Sequence, residues 1–291
     1  MRFKECFAAV CTVLAAVLAG CGRQSDSQVI AVSVPAQATL LQQIAGDGFR
    51  VVTVLANGAD PESFDPTVKT RAAMEDADIY FVAGFLTFED AVVRSLPATT
   101  QVVDTSEGIA PLYGTHGHCH HGDEGTATHD SHSNADPHTW VSVRNARIMA
   151  GNMTEALCRV YPDSAKAFRQ RFARLDMHLD SLDRSFAKRL SAKKGEAFAI
   201  WHPSLGYFAR DYGLNQIAVG FENKEMSPRR MAHAQAEIAG HGATVFIYES
   251  GYNTQQMRQF ADALGLGRCE VNLMDADWEG QLRKVTEALS R

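Results

Sequence analysis

Ser164–Ala192 reads SAKAFRQRFARLDMHLDSLDRSFAKRLSA. Its apolar seam is Phe168, Phe172, Leu175, Leu179, Leu182, Phe186 and Leu190, at spacings of 4, 3, 4, 3, 4 and 4. Those spacings place all seven on one face of a single helix. At about 1.5 Å per residue, such a helix spans roughly 40 Å, the width of a domain. It reads as a rigid strut joining two halves of the chain. A coiled-coil dimer seam is the competing reading, although the run barely reaches the three to four heptads that seam wants.

On the N-terminal side the pattern alternates. Val29–Pro35, Arg50–Leu55, Ile79–Ala83 and Gln101–Asp104 are short β-branched or apolar runs that read as strands. Gln37–Ala45, Thr67–Asp76 and Phe88–Leu96 between them read as helices, and Val143–Val160 is a helix broken by Tyr161-Pro162-Asp163. The C-terminal side repeats the alternation. Strands are expected at Ala197–Trp201, Asn215–Phe221, Thr244–Tyr248 and Cys269–Leu273. Helices are expected at Leu205–Asp211, at Pro228–His241 behind a Ser227 cap, at Thr254–Leu264 and at Asp277–Leu289, with Asp277 placed to cap the last. Strands alternating with helices imply parallel sheets covered by helices. The fold class is α/β: two α/β lobes with mainly parallel sheets, joined by one long rigid helix. The domains are an N-terminal lobe over 29–140, a helix and linking helix over 141–194, and a C-terminal lobe over 195–291.

One stretch belongs to neither pattern. Gly114–Trp140 reads GTHGHCHHGDEGTATHDSHSNADPHTW and holds seven of the eleven histidines. His116, His118, His120, His121, His129 and His132 are interleaved with acidic residues and Cys119, and His138 comes after them. The segment lacks the apolar residues that would offset its ordering entropy. Imidazole is the commonest protein ligand for zinc and suits copper, iron and nickel. The loop 114–136 is therefore read as an auxiliary metal collector.

The first residues read as a processing segment. Arg2 and Lys4 precede an apolar run, Phe7–Leu18, of a length that suits a signal sequence and is too short to span a bilayer. Leu18-Ala19-Gly20-Cys21 resembles the lipobox of bacterial lipoproteins, which implies cleavage after residue 20, lipid attachment at Cys21 and a tether over 21–28. The expected product is an extracytoplasmic or periplasmic protein, lipid-anchored to a bacterial membrane. Loss of Arg2, Lys4 and Glu5 moves the formal charge from -6 to -7. An acidic balance argues against nucleic acid and suits a cation. Of the six cysteines, Cys119, Cys158 and Cys269 remain beside Cys21. Cys158 with Cys269 is the expected disulfide in an oxidising compartment.

Ligands of open α/β sheets sit beyond the carboxyl ends of strands. Metal-ligating residue types at such places are Glu62 after the second strand, His138 in Asp136-Pro137-His138-Thr139-Trp140, His202 after the first strand of the second lobe, and Asp275 and Asp277 after the last. Two donors from each lobe would hold a metal in the cleft between them.

These segments, in order, resemble the metal-binding lipoproteins of bacterial ABC importers for zinc and manganese, the ZnuA/TroA-like cluster A-I solute-binding proteins. The family shows a Gly-x-Asp-Pro-His-x-Phe/Tyr-Glu-Pro segment, an Asp-Pro-His-x-Trp segment, a His segment before an aromatic-rich helix, and a linking helix. The third is visible as His202-Pro203-Ser204-Leu205-Gly206-Tyr207-Phe208. The resemblance covers essentially everything after Cys21. It implies a monomeric binding protein, not an enzyme, that delivers its ion to a membrane permease and its ATPase. It also implies His138 and His202 as ligands, with Glu62 standing where the family has histidine. The position that often carries aspartate matches Asn272, which leaves the fourth donor open among Asp277, Asp275 and water. Two imidazoles and one carboxylate leave Zn(II) with a residual charge of +1, and the added oxygen makes Mn(II) or Fe(II) more acceptable. Zn(II) is the expected cargo, with Mn(II) or Fe(II) second. A zinc hydrolase, a surface adhesin and a siderophore carrier are the other classes. No His-Glu-x-x-His segment supports the first.

Overall fold

The computed structural model describes residues 28–55, 59, 61, 64–114, 135–220, 228–250 and 255–291. The lipobox, most of the His-rich loop, Ser227 and Glu62 lie outside the described residues. The strands are β1 Gln28–Val32, β2 Phe49–Thr53, β3 Ala77–Val82, β4 Gln101–Asp104, β5 Ala197–Ile200, β6 Asn215–Ala218, β7 Val245–Glu249 and β8 Gly267–Val271. The helices are α1 Pro35–Ala45, α2 Val68–Ala73, α3 Glu89–Val93, α4 Val143–Val160, α5 Ala165–Arg189, α6 Gly206–Tyr212, α7 Pro228–His241, α8 Gln255–Ala263 and α9 Trp278–Leu289.

Each lobe is built on a four-stranded parallel sheet. The orders are β2-β1-β3-β4 and β6-β5-β7-β8, so the second lobe repeats the topology of the first. In each sheet the chain winds outward in both directions from a central pair, β1/β3 or β5/β7. The crevice beyond the carboxyl ends of that pair is where ligands bind in open α/β sheets. Residues of β5 alternate between its two faces. Phe198 and Ile200 enter the main core, while Ala199 and Trp201 enter a second cluster with Ile217, Phe246 and Phe260.

The linking helix α5 runs 25 residues, about 37 Å at 1.5 Å per residue. Phe168, Leu175, Leu179, Leu182 and Phe186 are buried along it, and Phe172 is partly buried. The seam is used within the chain, against α4, α1 and α9, so the coiled-coil reading is set aside. Arg147 on α4 fixes the pairing with a fork to Asp176 (Nε–Oδ1 2.7 Å) and a bond to Asp180 (3.1 Å). The main core runs without a break from β1 through α4 and α5 to α9.

Cys158 and Cys269 are free thiols, which overturns the expected disulfide. Cys158 lies on α4 beside Ala165 O, and Cys269 lies on β8 beside Lys284 O. A pairing inferred from cysteine count ignores that α4 precedes the linking helix while β8 lies in the C-terminal lobe, and a disulfide needs Cα atoms within about 7 Å. Among the described residues, no helix is long and apolar enough to cross a membrane.

Candidate metal centre

His202 lies two residues beyond the end of β5. The ladder continues past the strand, with Trp201 N donating to Ile247 O at 2.9 Å and Gly220 N donating to Trp201 O at 2.8 Å. Gly220 has to be glycine: an added Cβ would lie 2.7 Å from the Trp201 indole. Packing of Trp201 against this bare backbone sets where the chain turns at His202. Beyond the turn, Ser204 N donates to His202 O at 2.7 Å, and Ser204 Oγ donates to Glu249 Oε1 at 2.8 Å. Glu249 ends β7, the strand beside β5.

His138 arrives from the other lobe. Pro137 disfavours helix at Asp136, and the carboxylate of Asp136 then organises the turn into His138. Asp136 Oδ1 accepts from His138 N at 2.9 Å and lies 2.8 Å from His138 Nδ1. Both residues are buried, Asp136 completely. An ionised Asp136 accepts the Nδ1 proton and leaves the lone pair of His138 on Nε2. This carboxylate–histidine pairing is the arrangement that fixes the tautomer of metal-ligating histidines. The chain continues through a short 3-10 turn, Thr139–Val141, to Ser142, whose Oγ caps α4 by accepting from Asn145 N at 3.0 Å. The Trp140 ring stands against the His138 ring (5.4 Å between centroids), and its indole N–H donates to Leu273 O of the opposite lobe at 3.1 Å.

The two histidines meet. His138 Nε2 and His202 Nε2 are 3.4 Å apart, with the rings at 74° to one another. Two nitrogens bound at about 2.0–2.1 Å to one tetrahedral ion would be roughly 3.3–3.4 Å apart. The observed separation equals the length of one edge of that tetrahedron.

The other expected donors stand differently. Asp277 is exposed and caps α9, accepting from Gly280 N at 3.1 Å, as its place in the sequence predicts. Asp275 Oδ1 accepts from Asp277 N at 2.9 Å. Asn272 Oδ1 accepts from Met274 N at 3.1 Å. Among the described residues, no group of three His, Cys, Asp or Glu side chains assembles a complete metal site.

A second buried polar cluster sits at the carboxyl ends of β1 and β3. Glu89 opens α3, 5% exposed. Its Oε1 accepts from Ala83 N at 2.6 Å and from the Ser33 hydroxyl, and its Oε2 accepts from Gly84 N at 3.1 Å. Ser33 Oγ also bonds Tyr80 Oη at 2.7 Å. Burial pushes the Glu89 carboxyl up to about 7, against those hydrogen bonds and with nearby Asp104 adding to the rise. Ala83 O accepts from Thr139 Oγ1 at 3.3 Å, linking this cluster to the His138 segment. Sequence reasoning gives no role of their own to Glu89, Tyr207 and Glu249. Only Glu249 carries a readable signal, since it ends a strand on the ligand side.

Residues 30–291 match the family model described as zinc-uptake complex component A, periplasmic. The zinc-binding protein AdcA of Streptococcus pyogenes serotype M3 is 26% identical over 252 residues, covering 82% of this chain and 49% of AdcA. The zinc-binding lipoprotein AdcA of Streptococcus pneumoniae R6 is 28% identical over 218 residues, covering 71% of this chain and 42% of that protein. The chain thus spans about half the length of these relatives or less. The crystal structure of ZnuA superposes with a TM-score of 0.79 at 26% identity, covering 91% of this chain and 98% of that one. A zinc-bound deletion mutant of ZnuA superposes at 0.77.

Proposed function

The chain belongs to the periplasmic zinc-uptake component A family, and from that membership we propose that it captures a transition-metal ion, Zn(II) foremost, between its lobes. The observation that carries the reading is the 3.4 Å approach of His138 Nε2 to His202 Nε2, with Asp136 holding the His138 tautomer. The relatives are named as zinc-binding proteins, and the edge length fits zinc. In this proposal the two imidazoles are the fixed half of the site and Glu62 is the third donor. Asp277, Asp275 or water completes it. Asp277 would have to give up its cap to serve, at a cost of about 1 kcal/mol. That favours Asp275 or water.

The ion is cargo, bound and released with no covalent chemistry. His116, His118, His120, His121, His129 and His132 gather metal near the cleft, and the loaded protein docks on a membrane ABC permease driven by its ATPase. The protein acts as a monomer outside the cytoplasm, held to the membrane by lipid on Cys21. Mn(II) or Fe(II) is the alternative cargo, because Glu62 replaces an imidazole with a harder oxygen donor.

Metal titration of two proteins tests this: the chain from Cys21, and the same chain lacking 114–134. One tight site should survive the deletion, with weaker sites lost. His138→Ala and His202→Ala should each abolish the tight site. Loss of all tight binding on deletion would move the site into the loop and refute the cleft assignment.

A further inference from the structure

Tyr207 sits five residues after His202, on α6, and is completely buried. Its hydroxyl reaches the other lobe. It donates to Asp136 O at 2.9 Å and accepts from Leu112 N at 3.3 Å. Asp136 N in turn donates to Leu112 O at 2.8 Å, and Tyr113 pairs with Ala135 in an antiparallel bridge. Tyr207 therefore clasps both chains of a two-stranded neck, and the residue it clasps is the one that orients His138. One turn later, Arg210 reinforces the grip. Its guanidinium lies over the Tyr207 ring at 5.0 Å and donates to Ala110 O at 3.2 Å and to Asn145 Oδ1 at 3.1 Å. Asn145 Nδ2 donates to Thr139 O at 3.0 Å. Helix α6 thus holds the His138 segment on both sides, through Asp136 and through Thr139, while the turn before it carries His202.

We infer that Tyr207 is a positioning residue for the metal centre: its hydroxyl ties the His202 element to the Asp136–His138 turn and presets the separation of the two ligand nitrogens. The inference rests on His138 and His202 being the ligands. A hydroxyl with both its donor and acceptor capacity spent on backbone groups of one neck fixes position in a way that apolar packing does not. Groups that orient metal ligands from behind are commonly worth roughly 10- to 100-fold in metal affinity, and Tyr207 acts one bond further out, so about tenfold is expected.

Tyr207→Phe keeps the ring, its burial and its stacking with Arg210, and removes only the hydroxyl. The control is Tyr161→Phe. The Tyr161 hydroxyl donates to Asp78 Oδ2 at 2.9 Å, at the amino end of β3 and away from the centre. Zinc affinity is read by chelator competition, ligand geometry by the visible absorption of the cobalt-loaded protein, and stability by melting of the metal-free protein. Both variants should lose a few degrees of melting temperature. Only Tyr207→Phe should weaken zinc about tenfold and shift the cobalt bands. Unchanged affinity and bands in Tyr207→Phe overturn the inference. Should that variant not fold, Arg210→Gln reads the same grip: severalfold weaker zinc binding supports it and unchanged binding overturns it. His202→Ala separates the two levels. If it binds zinc as the wild type does, the ligand assignment fails; if it abolishes binding while Tyr207→Phe binds normally, only the positioning role fails.

Discussion

Glu89→Gln removes an ionisation from the buried cluster at nearly constant shape. In the folded protein burial pushes the Glu89 carboxyl up from an ordinary 4.5 to about 7, because it penalises the charged form more than the hydrogen bonds from Ser33 and Ala83 support it. The folded chain therefore holds this proton more tightly than the unfolded chain. The stabilisation this provides is complete below about pH 4.5, declines as pH rises, and is gone above about pH 7. At about 1.4 kcal/mol per pH unit, the gap between the two values is worth about 3 kcal/mol. The glutamine variant has no such term. Its absolute stability also reflects an amide facing the Ala83 and Gly84 N–H groups, but that contribution does not change with pH. The measurement is urea unfolding of metal-free wild type and variant from pH 4 to pH 8. Contributions common to both proteins cancel in the difference. The stability of wild type relative to variant should fall by about 3 kcal/mol across the range. A difference flat to within about 0.5 kcal/mol would show that the Glu89 carboxyl holds its proton no more tightly in the fold than in the unfolded chain, with the hydrogen bonds to it cancelling the effect of burial.

Gly220→Ala drives a methyl into the Trp201 indole; overpacking of this kind costs about 1–3 kcal/mol. It should lower the melting temperature and weaken zinc binding, because Trp201 adjoins His202. Trp140→Phe keeps a ring beside His138 and deletes the bond to Leu273 O, so urea titration should show a loss of about 1 kcal/mol. Alkylation of unfolded, unreduced protein with subsequent mass mapping should label both Cys158 and Cys269, whose Sγ atoms are free. A mass for the Cys158–Cys269 cross-linked peptide would contradict the fold.

Local signals carry most of the fold. Val143–Val160 is bounded as expected, because Ser142 caps one end and Tyr161-Pro162 stops the other. Gln101–Asp104 also holds to the residue. Sequence pattern overextends the short helices α2 and α3, since good helix formers at Glu75 and Leu96 lie past ends that are fixed by turns onto β3 and β4. The strand orders are not legible, because register across a parallel sheet is set by side chains distant in sequence. The same division holds at the site. That His138 and His202 approach each other is foreseeable from their places beyond strands of the two lobes. Tyr207 is not foreseeable in this way, since its partners Asp136 and Leu112 lie 71 and 95 residues away and its position resembles any core aromatic. The expected disulfide fails for a related reason, since counting thiols carries no distance.

Under the proposed function, the contacts across the cleft bear on how an ion enters and leaves. Trp140 reaches Leu273, Tyr207 reaches Asp136, and Thr39 Oγ1 donates to Ala276 O at 2.8 Å. His178 on the linking helix meets Glu279 of α9 at 2.9 Å. Beneath them the core passes from lobe to lobe along α5 without a break. A wide hinge opening would pull apart these bonds and expose Leu179, Leu182 and Phe186, each worth about 1.5–3 kcal/mol when buried. Rotating a single ligand side chain or shifting a turn costs far less. Under the proposed function, the fold therefore favours capture by small movements of the turns that carry His138 and His202 over a stable frame. The distance between the two histidines is then a property of that frame, held from behind by Asp136 and Tyr207.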